Sequence, residues 1–110
     1  LWATWCPPCR RQLPALQQAQ AAGPDVNIVF VNQGEESQTI AAFLDRQGLA
    51  LRNVLVDRQN SVGAALGHGA LPTTLFFDTN GLADTRIGEL SQATLTQRLA
   101  RIRATSPPTR

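Results

Sequence analysis

Trp5-Cys6-Pro7-Pro8-Cys9 places two thiols one helical turn apart, and Leu71-Pro72-Thr73-Thr74, farther along, is an X-Pro segment able to hold a cis peptide beside them. The pair uses both of the chain's cysteines. Residues 1–4 read as the end of a buried strand running into Cys6. Pro7 and Pro8 suit the first turn of a helix, where a missing N–H breaks no bond. A C-x-x-C that opens a helix after a strand points to a dithiol that cycles with its disulfide. Half of a zinc site is the competing reading, but zinc needs two further ligands, and His68 is the one obvious candidate outside the acidic residues.

From this junction the chain alternates. Leu13, Leu16 and the alanines near position 20 make an apolar stripe that ends at Gly23-Pro24, with Pro14 expected to kink the helix. The β-branched run 26–31 predicts a buried strand, and residues 33–36 a loop. Ser37 is a candidate N-cap for a helix carrying Ile40, Phe43 and Leu44 and stopped by Gly48. A short strand at 54–56 and a short helix from Ser61 to Leu66, closed by Gly67, follow. Strands at 74–77 and 82–87 flank Asn80-Gly81, a hairpin signal, and Ser91 caps a last helix with Leu95, Leu99 and Ile102 on one face. The order β-α-β-α-β-α-β-β-α implies an α/β fold: a parallel sheet with helices on both faces and a late antiparallel hairpin. Residues 1–103 are expected to form one domain, and 104–110 a disordered tail.

Composition narrows the function. The 110 residues are 43% hydrophobic and 16% charged, ordinary for one globular domain. Net charge is +2, and all ten basic residues are arginines. Arg98, Arg101 and Arg103 read as a solvated helix face; no aromatics alternate with them to stack on bases, so no nucleic-acid partner is expected. No apolar run reaches the roughly 20 residues of a membrane span. The chain opens on Leu1 in mid-strand, so an upstream anchor or signal peptide is left open, and a monomer is expected.

The chemistry follows from position. Free N–H groups and the helix dipole at a helix start favour a thiolate at Cys6, expected to be exposed and nucleophilic, with Cys9 the more buried resolving thiol. Cys6 attacks a partner's disulfide, and Cys9 then attacks Cys6 and leaves the two joined. Pro7 and Pro8 offer that thiolate no N–H, which makes the dithiol the better reductant. No cofactor beyond this redox-active disulfide is expected.

Trp2-Ala3-Thr4-Trp5-Cys6-Pro7-Pro8-Cys9-Arg10 resembles the active-site segment of the thioredoxin superfamily, in its TlpA/ResA/DsbE-like branch. Leu71-Pro72-Thr73-Thr74-Leu75-Phe76-Phe77-Asp78 is similar to that branch's cis-proline strand, and Asn80-Gly81 to its hairpin turn. The resemblance spans essentially residues 1–103 and implies a thioredoxin-like fold with an inserted helix and strand, for which residues 37–47 supply the helix. The first central strand, of which residues 1–4 remain, is then truncated, leaving a groove and unpaired edges. It also implies a bacterial protein in the periplasm or anchored at the extracytoplasmic face of the membrane that reduces disulfides of exported proteins and is itself reduced by a membrane electron donor. Apocytochrome c is a frequent substrate in this branch, but its cytochrome c subgroup has Pro-Glu where this chain has Pro72-Thr73, which favours a general TlpA-like activity.

By the same resemblance Glu35 matches an acid near the dithiol. With a raised pKa it could relay a proton to or from Cys9, whereas Glu36 reads as a solvated helix-start residue. Trp5, Pro7, Pro8, Leu71 and Pro72 are the expected substrate-contact residues, with cis Pro72 exposing the backbone of Leu71; Trp2 is expected to pack. From a different class, a copper-delivery module would hold Cu(I) between the two thiolates and His68, since soft ligands suit that ion. An interaction domain with a relic motif is the third reading.

Overall fold

Cys6 ends a turn that begins at Ala3 and caps the first helix. In the computed structural model, which describes residues 1–105, the elements are α1 (Pro7–Ala22), β1 (Phe30–Gln33), α2 (Ser37–Arg46), β2 (Val54–Asp57), α3 (Ser61–Leu66), β3 (Thr73–Asp78), β4 (Gly81–Ile87) and α4 (Gln92–Thr105). This is the expected mixed α/β order, but residues 1–4 are reduced to a single bridge, Trp2 to Asn32, rather than a strand. Because α4 runs through Thr105, Ala104 and Thr105 belong to the helix and not to the expected tail; residues 106–110 lie outside the described residues.

α1 starts on two prolines and continues through Pro14. Pro14 and Arg10 both face solvent, so the carbonyl that Pro14 leaves without an N–H can turn to water. The buried face is Cys9, Gln12, Leu13, Leu16 and Gln20, not the alanine run. The two glutamines are inside because each satisfies backbone elsewhere. Gln12 Oε1 accepts from the Leu90 N–H at 2.9 Å. Gln20 donates to the Ile28 and Arg52 carbonyls and accepts from the Arg52 N–H. α2 begins one residue off expectation: Glu36 is the N-cap and Ser37 the first helical residue, with no side chain capping it.

β1 and β2 pair in parallel, Phe30 opposite Val54 through Gln33 opposite Asp57. The predicted strand at 26–31 thus slides toward its C-terminal end. Strand pairing begins at Phe30, whose N–H reaches the Asn53 carbonyl. Asp57 also accepts from the Ser61 and Val62 N–H groups and so caps α3, while Gly67 closes that helix at φ +81°, in the left-handed region.

β3 and β4 form the expected hairpin, from Thr73 opposite Ile87 to Asp78 opposite Gly81, with a bulge at Phe76/Phe77. The positive φ falls on Gly81 at +112° and not on Asn80, so the glycine reopens the strand after the turn. The Asp78 side chain accepts from the Asn80 N–H inside the turn. Ser91 caps the last helix through the Thr94 N–H, as expected. Arg98 and Arg103 of the basic face pair with Asp84 and Asp25.

Leu1 and Trp2 join the two strand pairs. Trp2 exchanges bonds with β1, to the Val31 carbonyl and from the Gln33 N–H, and Leu1 exchanges bonds with Thr73 at the start of β3. A groove of about 480 Å³ is lined by Ile28, Val29, Leu75, Phe77, Leu99 and Ile102 among others. The core lies on Trp2, Leu13, Phe30, Ile40, Phe43, Phe76, Leu95 and Leu99, with the disulfide within it.

Candidate functional site

Cys6 and Cys9 are joined in a disulfide, with Cα atoms 5.2 Å apart. Cys6 is the N-cap of α1, and its Sγ accepts the Cys9 N–H at 3.3 Å. Since Pro7 and Pro8 carry no N–H, Cys9 supplies the first helical donor available to that sulfur. One expectation is corrected: Cys6 is not exposed. It keeps 3% of its surface and Cys9 none. Bonded to Cys9 and drawn onto the helix start, the leading sulfur folds inward while its neighbours Trp5 and Pro7 face solvent.

The Leu71–Pro72 peptide is cis. Pro72 is buried and its carbonyl accepts from the Gly88 N–H at 2.8 Å, which ties this loop to the end of β4. Leu71 and Trp5 line one cavity of about 690 Å³ together with Gln33, Asn60 and the Gly67–Ala70 loop. Trp5 is 66% exposed on its rim, whereas Trp2 is core, packed against Phe43 with ring centroids 6.0 Å apart. His68 lines the same cavity, and its Nδ1 accepts the Ala70 N–H. It does not join the cysteines as a third ligand: among the described residues no three His, Cys, Asp or Glu side chains gather at metal-binding range.

Glu35 sits just past β1 and reaches back to the segment that delivers Cys6. Its Oε1 accepts from the Thr4 N–H at 2.7 Å and from Asn32 Nδ2 at 2.9 Å, and its Oε2 accepts from the Thr4 hydroxyl. Burial pushes this carboxyl up, but the two bonds from Thr4 and the one from Asn32 outweigh it and hold the group below its ordinary 4.5. The expected upward shift is therefore reversed in this disulfide form. Thr4 and Asn32 escape sequence reading; the signal was a polar residue closing an apolar strand two positions before Gly34-Glu35. Glu36 is at the surface, 3.5 Å from Arg58.

The sign of the Glu35 shift makes a prediction. A carboxylate whose folded-state pKa is depressed contributes stability above its unfolded value and loses it as pH falls through the folded value. Glu35→Gln is expected to lower stability at neutral pH and to flatten its decline below about pH 5. Urea titrations at pH 7 and pH 3 measure both; equal losses at the two pH values would contradict it.

A disulfide at a helix start, a cis-proline loop, a parallel strand pair and an antiparallel hairpin define a thioredoxin-like domain. The chain belongs to the redoxin family, whose profile matches residues 1–97. It is 40% identical over 84 residues to the thiol-disulfide oxidoreductase ResA of Geobacillus thermodenitrificans, covering 73% of this chain and 47% of that protein. It is 33% identical over 82 residues to the thiol:disulfide interchange protein DsbE of Escherichia coli K12, covering 74% and 43%. The chain thus spans about half the length of these relatives. Among solved structures, MTB DsbF in its mixed oxidized and reduced forms matches with a TM-score of 0.78 at 28% identity, over 92% of this chain and 75% of that one. A secreted Mycobacterium tuberculosis disulfide oxidoreductase homologous to E. coli DsbE matches at 0.79 and 25% identity, over 91% and 76%.

Proposed function

We propose that this domain is a thiol–disulfide oxidoreductase that reduces disulfides of exported proteins on the extracytoplasmic side of a bacterial membrane. The observation that carries the reading is the Cys6–Cys9 disulfide capping α1. The names of the ResA and DsbE relatives support the same chemistry. No helix among the described residues is long and apolar enough to cross a membrane.

In the reduced state the Cys6 thiolate attacks one sulfur of a partner's disulfide, and the partner's other sulfur leaves as a thiolate. Cys9 then loses its proton and attacks Cys6 Sγ. The second partner sulfur leaves, Cys6–Cys9 re-forms, and the partner has gained two electrons. A dithiol donor at the membrane restores the pair by the reverse sequence and needs no other cofactor. Glu35, ionised and tied to the Thr4–Cys6 segment, takes the Cys9 proton. Trp5, Pro7, Pro8 and Leu71 are the residues we assign to substrate contact, with the buried Pro72 acting through the backbone of Leu71. Cytochrome c maturation is one setting for this reaction, and other exported disulfides are equally suited.

Reduction, not oxidation, is favoured because the helix start offers Cys6 a single early N–H, from Cys9. A less stabilised thiolate raises the tendency of the dithiol to give up electrons. The expected potential is below about −230 mV, on the thioredoxin side of the known range. Equilibration in glutathione buffers with alkylation of free thiols measures it, and catalysed reduction of insulin by dithiothreitol tests the activity. A potential near about −120 mV, typical of a strong oxidant, would overturn the reductant reading; no acceleration of insulin reduction would overturn the oxidoreductase reading.

A further inference from the structure

Cys6 is buried in the disulfide, so forming a mixed disulfide at its Sγ requires the turn that carries it to move. That turn is Ala3 to Cys6, closed by the Cys6 N–H on the Ala3 carbonyl at 3.3 Å, with Thr4 and Trp5 at its corner. Trp5 is free to swing into solvent, but Thr4 is not. Both of its donors, the N–H and the hydroxyl, are spent on the two oxygens of Glu35. The anchor on the other side is firm. Asn32 is fully buried and backbone-paired at the Trp2 bridge, and its amide turns its donor to Glu35 while its Oδ1 has no partner among the described residues. The Asn32 amide thus keeps its donor on the carboxylate at 2.9 Å.

We propose that Thr4 and Asn32 are positioning residues that clamp Glu35 against the turn delivering Cys6, and that this clamp opens when Cys6 is engaged by a partner. The proposal rests on the reading above, in which Glu35 takes the Cys9 proton. With the clamp closed, three donors stabilise the carboxylate and make it a poor base. When the turn swings out, Thr4 withdraws two of them, and the burial that was outweighed now raises the basicity of Glu35. The carboxylate becomes a better proton acceptor at the step in which Cys9 must lose its proton. Asn32 stays in place and keeps the group aimed. Charged neighbours do not set this response: Glu36 and Arg58 face each other at the surface, His68 lies on the cavity wall with its Nδ1 turned to Ala70, and the Glu35 shift arises from burial, Thr4 and Asn32 alone among the described residues.

The test compares the titration of the Glu35 carboxyl, by carbon NMR, in the oxidised protein and in the glutathione mixed disulfide of Cys9→Ser. The expected midpoint is higher in the mixed disulfide by roughly one pH unit, a tenfold gain in proton affinity. In the oxidised protein, Thr4→Val and Asn32→Leu are each expected to raise the midpoint, and Thr4→Ser to restore it. An unchanged midpoint between the two states, or in Thr4→Val, would overturn the clamp. Should Thr4→Val fail to fold, the two-state comparison decides by itself. The underlying role of Glu35 is read separately from the pH dependence of glutathione release by Cys9: if Glu35→Gln leaves that profile unmoved, the proton-acceptor reading fails whatever the clamp does.

Discussion

Cys6→Ser is expected to lower insulin reduction to the rate seen without protein, while Cys9→Ser is expected to stop the reaction halfway and accumulate a covalent adduct with the substrate. The two sulfurs differ in what surrounds them. Cys6 ends the turn that begins at Ala3, caps α1 and receives the Cys9 N–H, so it is the sulfur whose anion the helix start stabilises. Cys9 is in the first turn and wholly enclosed, so an incoming protein reaches it only through Cys6. Without Cys6 no thiolate is left at the helix start to open the partner's bond. Without Cys9 the first attack still proceeds, but the intramolecular displacement that releases the partner is lost, and release must await an external thiol. Non-reducing electrophoresis after acid quenching reads the adduct. An adduct on Cys6→Ser in place of Cys9→Ser would exchange the two roles and remove the meaning given to the helix cap.

The helix start was legible because its determinants are local. Prolines without N–H groups at the first turn, a capping side chain before them, and Gly23 after the last turn act within one element. The β3–β4 hairpin and the short α3 were legible on the same grounds, though the glycine of Asn80-Gly81 serves the strand after the turn. What escaped depends on partners distant in sequence. Gln12 and Gln20 are buried because Leu90, Ile28 and Arg52 bring backbone groups to them, and nothing local to the helix signals it. The run 26–29 reads as strand, but the ladder with β2 begins at Phe30. The helix start suggested exposure of Cys6, yet that residue keeps 3% of its surface, because its Sγ is bonded to Cys9 and accepts the Cys9 N–H. Glu35 was found by its place in a familiar segment; its environment was misjudged because Thr4 and Asn32 bond to it from outside its own loop.

Trp2→Ala is expected to destabilise the domain by about 3–5 kcal/mol, the range for emptying a large aromatic site in a core, whereas Trp2→Phe, which removes less volume, should cost less. The contrast comes from how the indole is held. Its ring is 2% exposed and packed against Phe43, so truncation to alanine leaves a void between α2 and the short link that joins the two strand pairs. Its Nε1 donates to nothing among the described residues. Phenylalanine therefore gives up some volume but no hydrogen bond, and relieves the burial of an unpaired donor. The backbone of Trp2 is fixed on both sides by bonds to Val31 and Gln33, and a loosened ring would act on the neighbouring Thr4 and hence on the Glu35 clamp. Guanidinium titrations followed by circular dichroism avoid relying on the fluorescence of the residue being replaced. If alanine and phenylalanine destabilise equally, the indole N–H has a partner that matters. If alanine costs under about 1 kcal/mol, the ring is not the core element that joins Cys6's turn to the sheet.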